Sequence, residues 1–140
     1  ETELMATLDQ AARRDIEASA RQVALVTALV PLALADVAAA VAFVVANAAV
    51  ASDKETAVFL SVEGVRLATP GYADPIHEEG FSSLKELMAS FARAGGRILV
   101  CSPCFKRRRR DETRLVDGAV IVGGAKLVEF LSAGSPCVSY

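Results

Sequence analysis

Two cysteines separated by two residues, in Cys101-Ser102-Pro103-Cys104, are the side chains of this sequence best suited to covalent chemistry. The thiolate is the nucleophile and the thiol is not, so the surroundings that favour ionisation decide what such a pair can do. Pro103 lacks an N–H and fits the first turn of a helix. A helix starting there would turn its free N–H groups and the positive end of its dipole toward the sulfur. Lys106 and Arg107 add positive charge within a turn. All three effects point to a thiolate on Cys101, with Cys104 as its neighbour and Lys106 and Arg107 as anion-stabilising cations. The plainer alternative is a pair of small apolar residues packed at a strand end beside a solvated basic run.

Other constellations are weaker. Cys101, Cys104, Cys137 and His77 are a four-ligand set for zinc in composition, but a second knuckle is missing, and no metal site is expected. His77 lies beside Glu78 and Glu79 in a loop-like segment and reads as a solvated residue. Cys137, near the end of the last strand, reads as a core cysteine, or as a resolving thiol if that strand runs parallel to the one before Cys101. No cofactor is expected.

The elements that must position the pair follow from apolar patterning. Val23–Val30 is a continuous apolar run ended by Pro31, suited to a strand buried on both faces. Leu34–Ala51 reads as an Ala-rich helix, and Thr56–Val62 as a second strand. Residues 68–81 carry Pro70, Gly71, Asp74, Pro75 and Gly80, which is loop chemistry; loops of that length are often functional or act as lids. Ser83 and Glu86 form a capping box for a helix whose apolar face is Leu84, Leu87, Met88 and Phe91. Gly95 and Gly96 end it. Arg97–Cys101 is a third buried strand, which places Cys101 at a carboxyl end. Asp111–Leu115 reads as a short helix, Ala119–Val122 as a strand, Ala125–Leu131 as a helix and Pro136–Tyr140 as a last strand. Strands alternating with helices predict an α/β fold with a mainly parallel sheet and helices on both faces. Ligands in such sheets bind beyond the carboxyl ends of the strands. A thioredoxin-type fold also carries CxxC, but after an early strand; here the pair follows the third.

Composition bounds the function. At 140 residues the chain is one domain's worth, and 53% hydrophobic with 23% charged residues excludes a disordered chain. A net charge of -2 argues against a general nucleic-acid binder, although five of the fifteen basic residues form the run Lys106–Arg110. With 6% aromatics and no Trp, a base-stacking platform is not expected. Residues 1–21 are rich in charge, lack the apolar run of a signal peptide, and show Met5, Leu8, Ala12, Ile16 and Ala20 at helical spacing. They are expected to form an N-terminal helical extension (1–21) to a domain spanning 22–140. The apolar stretch 23–51 is cut by Pro31 and Asp36 and is expected to be buried rather than to span a membrane. Three cysteines with no disulfide framework suggest the cytoplasm.

From residue 23 onward the chain resembles the DsrE/DsrF-like sulfur-relay family (the DsrEFH superfamily), in its CxxC-containing subset. The likeness is carried by the Ala-rich helix with Phe43, Ala46, Asn47 and Ala48, by Glu63-Gly64-Val65, and by Leu84-Lys85-Glu86-Leu87. It continues in Ala94-Gly95-Gly96 before Ile98-Leu99-Val100-Cys101, the Cys101–Cys104 motif, Gly118-Ala119, Ile121-Val122-Gly123, Leu127–Leu131 and Val138-Ser139-Tyr140. Phe105 and Arg109 depart from the pattern: Phe105 is bulky, and Arg109 stands where Gly is expected. The resemblance implies a three-layer α/β/α fold with a mainly parallel five-stranded sheet, assembled as trimers or hexamers. It also implies a sulfurtransferase-like persulfide carrier loaded on Cys101, with sulfur donor and acceptor proteins as partners. A thiol–disulfide redox or sensor protein using Cys101 and Cys104, and a non-enzymatic oligomeric module docking through the basic run, are the alternatives.

Overall fold

The computed structural model describes residues 22–27 and 32–140. The expected helix over 3–21, and with it the proposed boundary at residue 22, lies outside the described residues. Five strands, β1 (Gln22–Thr27), β2 (Glu55–Leu60), β3 (Arg97–Cys101), β4 (Ala119–Val122) and β5 (Cys137–Ser139), form one sheet in the order β4-β3-β2-β1-β5. Every pairing is parallel. The crossovers contain α1 (Leu32–Ala51), a 3₁₀ helix (Gly64–Ala68) followed by α2 (Leu84–Arg93), α3 (Ser102–Arg107) and α4 (Gly124–Ser132).

Alternation along the strands sends their side chains to two cores. Val58, Leu60, Ile98 and Val100 face α1 and α2, packing with Phe43, Ala46, Leu84, Met88, Phe91 and Phe105. Ala57, Phe59 and Leu99 face the other way, toward Phe130 of α4. The apolar run that would alarm a hydropathy scan is therefore used up as a crossover helix, with Ala42, Phe43 and Ala46 fully buried. Among the described residues no helix is long and apolar enough to cross a membrane. Asn47, a polar interruption in that run, ties α1 to α2: its Nδ2 donates to the Phe43 carbonyl at 2.7 Å and to the Leu87 carbonyl at 2.9 Å.

Several expectations change in detail. β2 stops at Leu60 rather than Val62, because Val62 turns to φ 51. The helix expected over Asp111–Leu115 does not form. Asp111 Oδ1 instead accepts from the Thr113 N–H at 2.9 Å and its hydroxyl at 2.6 Å, a local turn that competes with helical bonding. The segment 68–81 is pinned rather than lid-like. Ala73 and Ile76 are buried, the Leu84 N–H bonds the Ile76 carbonyl at 3.0 Å, and the Val116 N–H bonds the Ala68 carbonyl at 2.9 Å.

The capping box opens α2 as expected: the Ser83 hydroxyl accepts from the Glu86 N–H, and the Glu86 carboxylate accepts from the Ser83 N–H. At the other end the Gly95 N–H bonds the Ala92 carbonyl and the Gly96 N–H bonds the Phe91 carbonyl, with Gly95 at φ 89. This pair of bonds releases the helix directly into β3. Gly96 also leaves room for the Phe91 ring, since a Cβ there would lie 2.2 Å from a ring carbon. Gly96→Ala is expected to destabilise the fold by about 1–3 kcal/mol, read as a lower melting temperature or denaturant midpoint, because the buried Phe91 must leave its place.

Candidate functional site

In a parallel sheet all strands end at one rim. Leu60 pairs with Val100, and Cys101 pairs with Val122, so the chain leaves β2, β3 and β4 at about one level. Cys101 is the last residue of β3 and the N-cap of α3, with φ -62 and ψ 110. Pro103 lies in the first turn, where its missing N–H costs nothing. Phe105, the bulky departure from the family pattern, is fully buried in the main core and anchors this short helix.

Cys101 and Cys104 are both free and half-buried. Cys101 touches both cores, standing where they meet at the rim. Its surroundings do not depress its proton affinity, contrary to expectation. Burial pushes the Cys101 thiol up, and its hydrogen bond with the Cys104 thiol adds to the rise. The Cys104 backbone N–H and the Arg108 charge pull the other way and are outweighed. The helix behind that N–H is only six residues long.

Lys106 and Arg107 lie in the last turn of α3 and are exposed. The basic side chain whose charge bears on Cys101 is Arg108, at the C-cap of α3, with 12% of its side chain exposed. Its Nη1 donates to the Cys104 carbonyl at 3.1 Å. Its Nε donates to Glu63 Oε1 at 2.8 Å, and its Nη2 is paired with the same oxygen. Glu63 Oε2 is in turn paired with Arg66. The Arg108 and Arg66 guanidinium groups hold the Glu63 carboxyl down at about 2 from an ordinary 4.5. Sequence reasoning passed over both Glu63 and Arg108. A parallel sheet was the available signal: whatever follows β2 must sit beside whatever follows β3.

Two non-glycine residues beside this ion pair have left-handed backbones, Val62 at φ 51 and Arg109 at φ 51. A β-branched residue in that region is an outlier. Arg109 is the position at which glycine was expected, and its φ is the reason glycine suits it.

The remaining candidates are dispersed. His77 is exposed, its Nε2 3.0 Å from the Phe81 carbonyl oxygen. Cys137 opens β5 instead of ending it, is exposed, and pairs with Ala24. Ala24 is level with Ala57, which is level with Arg97. Cys137 is therefore about 14 Å from β3 across three strand spacings and about 13 Å from Cys101 along the strand direction. A disulfide needs Cα atoms within about 7 Å, so Cys137 cannot resolve Cys101 within one chain. Among the described residues no three His, Cys, Asp or Glu side chains converge as metal ligands.

Comparison with known proteins places this rim in context. The DsrE/DsrF-like family profile matches residues 26–138. A second profile, a domain of unknown function (DUF697), matches residues 1–47. The chain is 28% identical over 90 residues to the uncharacterized protein MJ0760 of Methanocaldococcus jannaschii, covering 64% of this chain and 33% of that protein. It thus spans about a third of the length of this curated relative. Its fold is similar to that of the ychN protein from E. coli, with a TM-score of 0.68 at 13% identity, covering 86% of this chain and 98% of that one.

Two outcomes are expected from this geometry. Because Glu63 is held at about 2 against an ordinary 4.5, its ion pairs stabilise the fold fully above about pH 4.5, and that contribution is lost as pH falls toward 2. Acid unfolding followed by circular dichroism should be steeper in that window than in Glu63→Gln. Arg109→Gly relieves a left-handed side-chain clash and should stabilise the fold by about 1 kcal/mol in denaturant melts.

Proposed function

The chain belongs to the DsrE/DsrF-like family, and on that premise we propose that it carries sulfane sulfur as a persulfide on Cys101. The observation that carries this reading is the pair of free, half-buried thiols, Cys101 at the N-cap of α3 and Cys104 in its first turn, at the carboxyl rim of a parallel sheet. In loading, Cys101 loses its proton and the thiolate attacks the outer sulfur of a donor persulfide. One S–S bond forms at Cys101 as the donor's S–S bond breaks, and the donor leaves as a thiolate that takes up a proton. No electrons are gained or lost overall. Delivery repeats the exchange with an acceptor thiolate attacking the outer sulfur. Alternatively Cys104 attacks the Cys101 sulfur, expelling hydrosulfide and leaving a Cys101–Cys104 disulfide for a cellular thiol to reduce.

A thiol–disulfide redox role is the second reading, favoured by the raised proton affinity of Cys101 and the direct contact of its partner. The reading as a carrier brings with it donor and acceptor proteins, a cytoplasmic setting in which thiols stay reduced, and the three-layer, five-stranded form implied by the family. It also brings assembly as trimers or hexamers. Val120, 56% exposed on the face that α4 covers, and Val128, 64% exposed on α4 itself, support buried surface between subunits. A monomer by light scattering at micromolar concentration would count against that assembly.

The deciding measurement is intact mass after incubation with a sulfane-sulfur donor, before and after reductant. The native chain should gain one reductant-sensitive sulfur atom. Cys137→Ser should gain it equally, and Cys101→Ser should not. Undiminished loading of Cys101→Ser overturns the assignment. Loss of two hydrogens without gain of sulfur transfers the conclusion to the redox reading.

A further inference from the structure

The ion pair at the rim does more than brace two loops. We propose that Glu63 and Arg108 form a charge-setting pair for Cys101. Arg108 is the cation that stabilises negative sulfur there, and Glu63 is the positioning residue that holds Arg108 against α3 while cancelling part of its charge. The proposal deepens the persulfide reading of the same site, but its direct readout is the chemistry of the thiol itself.

The geometry is specific. Arg108 uses Nη1 on the Cys104 carbonyl at 3.1 Å and Nε on Glu63 Oε1 at 2.8 Å, so one guanidinium joins the helix carrying Cys104 to the segment after β2. Its side chain is 12% exposed, whereas Lys106 and Arg107 face solvent, where screening weakens a charge. Strain provides an independent sign that this arrangement is imposed. Val62 precedes Glu63 and Arg109 follows Arg108, and both are held at φ 51. Left-handed non-glycine residues persist where surrounding structure over-determines them, and they gather at working sites.

The charged and titratable groups near Cys101 are few. On α3 and at its C-cap they are Cys104 and Arg108, and at the N-cap and within the 3₁₀ helix they are Glu63 and Arg66, paired with each other. β4 is Ala-Val-Ile-Val and contributes none. On α4, which packs on the other side, Lys126 and Glu129 are paired with one another. Of these, Arg108 is the cation that acts on Cys101, and Glu63 is the anion paired directly with it. Glu63 keeps 37% of its side chain exposed, so its hold on Arg108 is open to competition from an incoming partner.

The test is the pH dependence of Cys101 alkylation by iodoacetamide in the reduced full chain, followed by peptide mass mapping so that Cys104 and Cys137 are scored apart. Glu63→Gln leaves Arg108 uncompensated and should lower the Cys101 midpoint by about one pH unit. At neutral pH this raises the rate about threefold, since a more acidic thiolate is intrinsically less nucleophilic. Arg108→Gln should move the midpoint up and slow the reaction. Arg108→Lys should stay closer to the native chain than Arg108→Gln does. The double variant Glu63→Gln with Arg108→Gln removes both members of the pair, leaving Arg66 without its carboxylate but no cation against α3, and should behave like Arg108→Gln, which keeps the test decisive if a single variant fails to fold. Midpoints that stay put, or that shift the same way in both single variants, overturn the proposal and leave the pair a structural brace. Failure of sulfur loading with the opposite-signed shifts intact would overturn the carrier reading alone.

Discussion

Because β2 and β3 run parallel with Leu60 beside Val100, the chain departs from both strands at the same height and on the same side of the sheet. The site depends on this pairing. It brings Glu63, which has left β2, within reach of Arg108, which has left β3, although 45 positions separate them. An antiparallel pairing of the same strands would send the two departures to opposite rims. Register matters equally: a slip of one residue would turn Val58 and Leu60 away from Ile98 and Val100 and break both cores together.

The thiol pair thus inherits its environment from packing. Phe105 is buried to fix α3, and fixing α3 sets Cys104 beside Cys101. The same burial strips water from Cys101 and makes it a weaker acid, which a sequence-based appeal to helix dipole and nearby lysine or arginine does not capture. The Cys104 N–H at the start of a six-residue helix is too little to reverse that. Positive charge must act from a desolvated position to count, and in the run Lys106–Arg110 Arg108 turns inward to do so.

Much of the architecture was legible in local patterning. The apolar run Arg97–Cys101 announces a buried strand, Ser83 with Glu86 announces a helix start, and Gly95-Gly96 announces its end. These signals depend on residues close in sequence. The Asp111 turn was misread because Asp and Thr two apart serve a helix start and a local turn alike. The cysteine motif marked the rim but not its electrostatics. Glu63 and Arg108 meet only through a tertiary pairing, and nothing near either in sequence declares the other. The left-handed turn at Arg109 was visible only obliquely, as a side chain where glycine was expected.

The position of β5 has a consequence for biosynthesis. β5 pairs with β1, Cys137 beside Ala24, so one edge of β1 stays open until β5 has been made. At usual translation speeds that interval is on the order of 10 s. Throughout it, a parallel strand of Val, Ala and Leu presents unpaired amides and carbonyls. A nascent chain of this kind is a natural client for ribosome-bound chaperones, and loss of β5 would leave the same edge permanently uncovered.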